Sequence, residues 1–231
     1  MTTSWQPPSS GPIDDVTWPD KLSGAVVEAF GSDDRVHGYS VLGDLARHYA
    51  HSDHLFLAVT GDLPSDRASR LFRLGLIAWS PVSIAEAPTH VAVLSRICGG
   101  TFSAAMGAGL ATLAERARSI VESHEPLLAW LAHPDPTLPA VATAPDGAAV
   151  EWIDTLRALA EDLQLLDARM TRTAASLTLL FEAGVRDSER MQAAIVLAGS
   201  ASVLAEALAA SPKDLPAYPI TLPPFHYVES P

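Results

Sequence analysis

Apolar residues recur at helical spacing along most of this chain. No segment long enough for a strand shows sustained alternation of apolar and polar residues between turn signals. The sequence therefore predicts an all-α fold. After a group of three closely spaced helices, the predicted helices cover residues 84–97, 102–122, 147–166, 171–183 and 188–210.

The three closely spaced helices are predicted from their end signals. Ser40 is a suitable N-cap for the first helix, and Ser52 with Asp53 can cap the second. Gly61 is expected to end the second helix, and Ser65 to cap the third. The connections between these helices are therefore very short.

Two of the predicted helices are unusually rich in small residues. Glycine inside a helix costs about 0.5–1 kcal/mol relative to alanine, so its presence favours close packing of helix axes over a nearby ligand. The small residues are Ala104, Ala105, Gly107, Ala108, Gly109 and Ala111 in one helix, and Ala193, Ala194, Ala198, Gly199, Ala201 and Ala205 in the other.

The charge balance argues against two classes of partner. The 231 residues include 15 basic and 27 acidic side chains, a formal net charge of -12. Such a chain repels nucleic-acid phosphates and anionic membranes unless its basic residues cluster, and no cluster is evident. No apolar run reaches the roughly 18 residues of a membrane span. We therefore expect neither nucleic acid nor membrane among the partners.

A cytoplasmic location is expected from two further features. The first twenty residues lack the basic start and apolar stretch of a signal peptide. The single cysteine, Cys98, cannot form an internal disulfide.

Four short motifs follow one another in a specific order near the start of the folded region. They are Val36–Tyr39, Asp44–Ala46, Phe56–Leu57 and Gly61–Pro64. This series resembles the opening signature of the citrate synthase and citryl-CoA lyase superfamily, whose members read approximately Arg-Gly-Tyr-Asp, Glu-Leu, and a buried helix ending in Gly-Glu-Leu-Pro. Chance recurrence of helical hairpins in an Ala/Leu-rich chain is the alternative interpretation.

The resemblance continues further along the chain. Ser103–Ala105 and Ala108–Leu110 resemble the family's small-residue helix, and residues 171–210 resemble its later helix pair. The similarity covers roughly residues 35–110 and 170–210. It implies a homodimer whose helices pack antiparallel across the two-fold axis. It also implies an acyl-CoA and a 2-oxoacid as reactants, so a CoA thioester is a candidate ligand or substrate, and no cofactor is predicted.

The implied fold is citrate-synthase-like and multi-helical, with a large and a small domain. The resemblance assigns residues 21–110 and 170–211 to the large domain, and residues 111–169 to a reduced small domain. The proline-rich residues 1–20 are predicted to form an extended N-terminal arm. Residues 212–231 are predicted to form a C-terminal tail anchored by aromatic rings.

The family's reaction needs an acidic base, a histidine that stabilises an enol, and a second histidine with arginines that hold the oxoacid. This chain departs from the family's pattern at each of these positions. Trp79 and Ala117 replace the two histidines, Thr171–Thr173 replaces the motif that contains the base, and Gly199–Ser200 replaces an arginine. The resemblance therefore implies lost or altered catalysis.

One histidine remains as a candidate catalytic residue. His133 precedes a proline, as in a family Gly-His-Pro motif, and Asp135 is close enough to orient its imidazole. The competing interpretation is a helix that ends at a proline turn.

Arg96, Arg116 and Arg118 are candidates for an anionic ligand site, although a solvated helix face is the simpler explanation. His48, His51 and His54 are three residues apart, which is compatible with two metal ligands on one helix face. The expected break between helices would destroy that register, so no metal site is predicted.

Two functions of different class remain open. As a non-catalytic module, the chain would bind an acyl-CoA or carboxylate, or would pair with an active relative. As a divergent enzyme, it would make or break a carbon–carbon bond between an acyl-CoA and a 2-oxoacid or related substrate, with His133 and tail residues in the site.

Overall fold

The structure is a computed structural model that divides the chain into two compact units, residues 1–49 and 50–231. The predicted arm, residues 1–20, lies outside the described residues, as does the tail beyond Ala217. The division into a large and a small domain stays a prediction. The described residues are 24–27, 34–145, 150–160 and 163–217.

The first unit contains a small antiparallel sheet that the sequence pattern does not predict. Each strand has only two residues, which is too short for a detectable alternation. The second connection is a tight hairpin in which His37 and Gly38 have φ values of 47° and 86°, as a type I′ turn requires. The strands are β1 (Val26–Val27), β2 (Arg35–Val36) and β3 (Tyr39–Ser40), in the order β1-β2-β3.

A short helical segment follows the sheet. Ser40 caps it as predicted, because its hydroxyl oxygen accepts a 2.6 Å hydrogen bond from the Gly43 N–H. The segment consists of a π-helix, Val41–Leu45, and the single turn α1, Ala46–His48.

The second unit is all-α, which confirms the predicted fold class. Apart from α7, the helices agree with their predicted ranges to within about three residues, and α6 is an additional helix. The helices are α2 (His51–Thr60), α3 (Asp66–Trp79), α4 (Ala87–Ile97), α5 (Phe102–Ser123), α6 (Glu125–Ala132), α7 (Val150–Leu159), α8 (Arg172–Glu182) and α9 (Ser188–Ala209), with 3₁₀ turns at Ala140–Ala142 and Pro212–Ala217.

Two helix ends have the cap residues that the sequence predicts, and one does not. Gly61 ends α2 with a φ of 86°, and the Ser65 hydroxyl accepts from the Ala68 N–H at 3.2 Å. The predicted cap at Ser52 is wrong, because α2 already begins at His51. The Asp53 carboxylate instead accepts from the Ala50 N–H at 2.8 Å, one turn before the predicted start.

Helix α7 ends earlier than the sequence predicts, at Leu159 rather than near residue 166. The buried Glu182 carboxylate accepts hydrogen bonds from the N–H groups of Gln164 and Leu165, at 2.9 and 2.7 Å. It also pairs with Arg67 of α3. Because a distant side chain satisfies these N–H groups, the backbone there has no need of a helix.

The main core surrounds α8, in which every residue from Ala174 to Phe181 is buried. Phe56 and Phe72 pack edge to face beside it, with ring centroids 5.2 Å apart. A second cluster lies between α4, α5 and α9.

Helices α5 and α9 run antiparallel in close contact. A Cβ at Gly109 would lie 2.5 Å from Val203 Cγ1, and one at Gly199 would lie 3.0 Å from Leu113 Cδ1. This confirms the close packing predicted from the small residues at these two positions. Gly107 is different, because a Cβ there would meet no atom of the chain within 4 Å.

Replacing Gly109 with alanine should therefore lower the free energy of unfolding by about 1–3 kcal/mol, the usual effect of overpacking. The matched control is Ser119→Ala, at an exposed position of the same helix outside its packed face, which should leave it unchanged or raise it slightly through helix propensity. Urea denaturation of both variants measures the difference. Equal effects at the two positions would contradict the close packing at Gly109.

Candidate functional site

The two positions that the resemblance assigns to catalytic histidines lie inside the hydrophobic core. Trp79 is the last residue of α3 and is 8% exposed, and Ala117 of α5 is fully buried. Both belong to the same cluster of packed apolar residues. A group buried in this way cannot reach a dissolved substrate.

The other positions assigned by the resemblance have structural contacts. Thr171 is the N-cap of α8, and its hydroxyl oxygen accepts from the Ala174 N–H at 3.0 Å. The Ser200 hydroxyl donates to the Leu197 carbonyl at 2.7 Å. At Gly199, an added Cβ would lie 3.0–3.1 Å from the methyl groups of Leu113 and Val82, which is tighter than ordinary packing.

Trp79 carries one polar group without a partner. Among the described residues its indole N–H is buried and makes no hydrogen bond. Such a donor typically destabilises a fold by about 1–3 kcal/mol. The adjacent turn is well bonded, because the Ser202 hydroxyl donates to the Ser80 carbonyl at 2.5 Å and accepts from the Val82 N–H at 3.3 Å.

His133 is exposed at the C-terminal end of α6, where its backbone N–H bonds to the carbonyls of Ala129 and Trp130. The predicted orientation of its imidazole by Asp135 is not observed. The Asp135 carboxylate instead accepts from the Thr137 N–H at 2.7 Å, and its carbonyl accepts from the Trp130 indole at 2.9 Å. The Asp135 carboxylate is therefore hydrogen-bonded within its own turn rather than to His133.

The structure does not bring the three candidate arginines together. Arg116 pairs with Glu86, the N-cap of α4, whereas Arg96 lies about 15 Å further along that helix at 1.5 Å per residue. Arg118 follows Arg116 by two residues, which places it about 200° around α5.

Each arginine also has its own protein partners. Arg96 donates to the carbonyls of Gly100 and Ala207, at 2.9 and 3.3 Å. Hydrogen bonds to Glu115 and Glu122 raise the pKa of the Arg118 guanidinium above its usual value. The ligand-binding role of these arginines, like the catalytic role of His133, stays a prediction.

A groove between α2, α5 and α9 was missed at the sequence level. Its volume of about 610 Å³ falls in the range of small-molecule sites. The small side chains of Ala58, Ala114 and Ala193 leave this space open. The remaining lining residues are Val59, Glu189, Arg190, Gln192, Val196 and Leu197.

Helix α9 carries the signal that would have located this groove. It is apolar on its outer face as well as its inner face, with Ala193, Leu197, Ala201 and Leu204 spaced three or four residues apart. By length and composition alone α9 is apolar enough to cross a membrane, although 39% of its apolar window is buried inside the chain. The expectation that no segment reaches this apolarity is therefore wrong for α9.

The three closely spaced histidines are divided between two helices, as expected. His48 ends α1 and His51 begins α2, and the rings of His51 and His54 stack with centroids 6.1 Å apart. Across the described residues, no group of three or more His, Cys, Asp or Glu side chains could hold a metal ion.

Comparison with solved structures identifies the fold. The chain is similar to citryl-CoA lyase from Hydrogenobacter thermophilus, with a TM-score of 0.60 and 13% sequence identity. The match covers 91% of this chain and 98% of the lyase chain. No protein-family model matches the sequence, and no curated protein is similar to it in sequence. The chain therefore has the all-α fold of citryl-CoA lyase.

The burial of Ala117 can be tested by inserting the missing imidazole. Ala117→His should lower the free energy of unfolding by at least about 2 kcal/mol, because it overpacks the core and buries a polar ring. Ser119→His adds the same side chain at an exposed position of α5 and should leave it nearly unchanged. Thermal and urea denaturation measure both. A stable Ala117→His variant would mean that this position opens onto a cleft.

Proposed function

We propose that this chain is a catalytically divergent protein with a citrate-synthase-like fold, which binds an acyl-CoA or carboxylate without forming or cleaving a carbon–carbon bond. The observation that carries the proposal is the burial of Trp79 and Ala117 in one hydrophobic cluster. These are the positions at which the resemblance calls for two imidazoles.

These replacements remove groups that the family's reaction requires. Removing a proton beside a thioester needs a base in contact with the substrate, and the resulting enolate oxygen needs a hydrogen-bond donor. An indole and a methyl group packed in the core supply neither at the substrate. Thr171 and Thr173 offer hydroxyls in place of a carboxylate base, and a hydroxyl is a far weaker base at neutral pH.

The protein should therefore neither condense acetyl-CoA with oxaloacetate nor cleave citryl-CoA at a normal enzymatic rate. Each missing group is worth on the order of 10²-fold or more. Release of the CoA thiol measures condensation, and acetyl-CoA formation measures cleavage, with an active citryl-CoA lyase as positive control. Turnover near the usual median of about 10 s⁻¹ would contradict the assignment of Trp79, Ala117 and Thr173.

Ligand binding is measured separately by calorimetry with acetyl-CoA and with citrate. Heat of binding without turnover supports the proposal. No binding of either compound would contradict the ligand-binding part. Mixing the chain with an active citryl-CoA lyase and repeating the assay tests the remaining form of the proposal, in which this chain pairs with an active relative.

We further propose a homodimer formed through an outward face of α5 and α9. This outward face consists of two seams at three- and four-residue spacing. On α5 the exposed residues are small, which makes a shallow groove, and on α9 leucines project beside it. The seams are Ala104, Gly107, Ala111 and Ala114 on α5, and Ala193, Leu197, Ala201 and Leu204 on α9.

The two seams meet where Ala114, Ala193 and Leu197 line the same groove. A two-fold axis brings the leucines of one copy onto the small residues of the other, so the face is complementary to itself. Antiparallel helices with alanine and glycine at the contact can approach closely.

Light scattering should give about twice the 24.4 kDa chain mass. Gly107→Leu should shift the protein to the monomer while leaving it folded, because a side chain there meets no atom of its own chain within 4 Å. Ser119→Leu, exposed on α5 outside the outward face, should leave the dimer intact. A monomeric native protein at micromolar concentration, or a dimeric Gly107→Leu variant, would contradict this arrangement.

The alternative function is a divergent enzyme that uses His133. This alternative is supported by the exposed imidazole, which has no hydrogen-bond partner among the described side chains. Histidine is the side chain that most often transfers protons in enzymatic reactions.

If His133 is the proton-transfer residue, His133→Ala should abolish ligand binding or turnover. It should leave the melting temperature within a few degrees, because exposed positions change stability by about 0.5 kcal/mol or less. The control is His124→Ala, which should leave ligand binding and turnover unchanged. It removes a histidine ring that is hydrogen-bonded within its own helix, to the Ile120 carbonyl at 2.8 Å. A large stability loss with unchanged binding would make His133 a structural helix-terminus residue.

A further inference from the structure

Helix α9 has a hollow beside its first half and a projecting side chain on its second half. The hollow is the groove lined by Ala114, Ala193 and Leu197, and the projecting side chain is Leu204, which is 41% exposed. Leu204 lies on the same seam as Ala193 but about 16 Å further along the helix, at 1.5 Å per residue. This leucine therefore cannot fill the groove of its own chain.

A two-fold axis can bring the leucine of one copy to the groove of the other. Rotation about an axis perpendicular to a surface, midway between two features, places each feature on the other one's equivalent. The midpoint between Ala193 and Leu204 lies close to residue 199 of α9. An axis there runs the two copies of α9 antiparallel, with Leu204 of each copy over Ala193 of its partner.

The side-chain sizes along the α9 seam favour this register. Leu204 faces the partner's Ala193, and Leu197 faces the partner's Ala201, so each of these leucines meets an alanine. Large side chains opposite small ones are what allows facing layers to interdigitate. Sliding one helix by a turn places Leu197 opposite itself in one direction and opposite Leu204 in the other. Both shifts set leucine against leucine and alanine against alanine.

The centre of this contact contains no polar group that burial would leave unpaired. Ser200 lies next to the proposed axis, and its hydroxyl already donates to the Leu197 carbonyl at 2.7 Å. The neighbouring Ala201 is small, so the two helix axes can approach closely at their crossing point.

The charges are also compatible with this register. Residues 191–205 of α9 and 102–114 of α5 contain no Asp, Glu, Lys or Arg, so the contact buries no charge of a chain whose net charge is -12. Arg190 pairs with no acidic side chain among the described residues. A cation is unfavourable in the first turn of its own helix and favourable beside the last turn of another. The register places Arg190 opposite the partner's Leu208, in the last turn of α9.

We propose that two copies pack with their α9 helices antiparallel, and that Leu204 of each copy fills the groove between α2, α5 and α9 of the other. The inference rests on the homodimer of the proposed function and specifies its register. Ala193 and Leu204 are then the pair of positions that decides how the two copies align.

Exchanging the two side chains tests the register. Leu204→Ala removes the projecting side chain and Ala193→Leu fills the groove, and each change affects two symmetry-related contacts. Each single variant should raise the dimer dissociation constant by about tenfold or more. The double variant Ala193→Leu/Leu204→Ala should return it to within about threefold of the native value, because a leucine then again faces an alanine. Sedimentation equilibrium measures all three constants.

The matched control combines Leu204→Ala with Ser119→Leu, which adds a leucine at an exposed position of α5 outside the outward face. This variant should stay as weak a dimer as Leu204→Ala alone. A dimeric native protein whose double variant is not restored would overturn the register and leave the homodimer standing. A monomeric native protein would overturn both.

Cysteine trapping gives a second readout that does not depend on the stability of the swapped variants. The exposed Cys98 is first replaced by serine, and Ala193→Cys is combined with Leu204→Cys. A disulfide forms only where two Cα atoms approach within about 7 Å, so this pair can bridge only between copies. Oxidation should give a covalent dimer on a non-reducing gel.

Two single-cysteine variants are the controls for trapping. Leu204→Cys alone should give no covalent dimer, because the two equivalent positions lie on opposite sides of the proposed axis. Leu197→Cys alone bridges only if the helices are shifted by one turn. Rapid bridging of Leu197→Cys, or no bridging of the Ala193→Cys/Leu204→Cys pair in a dimeric protein, would overturn the proposal.

Discussion

The close contact between α5 and α9 is the constraint on which the helical unit depends. Gly109 lies against Val203 and Ala92, and Gly199 lies against Leu113, with spacings that an added Cβ would violate. Two helices of 22 residues each can therefore run side by side, and α4 packs on both. The free energy lost by placing glycine in a helix is offset by the contact it permits.

Small residues also determine the outer surface of the helical unit. Small side chains on the outer face of α5, next to leucines on α9, leave a groove and an apolar surface rather than a polar one. An apolar helix is usually covered on all sides. The proposed second copy would cover this exposed apolar area along the two helices.

Four positions that the resemblance assigns to catalysis contribute to packing or helix capping in this chain. Trp79 and Ala117 complete a continuous core at positions where the resemblance calls for polar groups facing a ligand. Thr171 is a helix cap and Gly199 is a packing contact, so these positions also serve the fold. The structural similarity to citryl-CoA lyase, at 13% identity, concerns the fold, and a fold does not by itself fix the chemistry that it carries.

The sequence by itself determined the helices whose signals are local. The N-cap at Ser65 and the helix end at Gly61 depend on hydrogen bonds and backbone angles within one turn. They can therefore be predicted from the sequence without the tertiary structure. Contacts between distant residues were decided only by the tertiary structure. Glu182 accepts hydrogen bonds from the backbone of Gln164 and Leu165, which follow the end of α7. Arg96 bonds to carbonyls beside α5 and α9, and Arg116 pairs with Glu86, so the candidate arginines are not brought together. Such long-range hydrogen bonds and ion pairs depend on where the folded backbone places each partner, which no local spacing records.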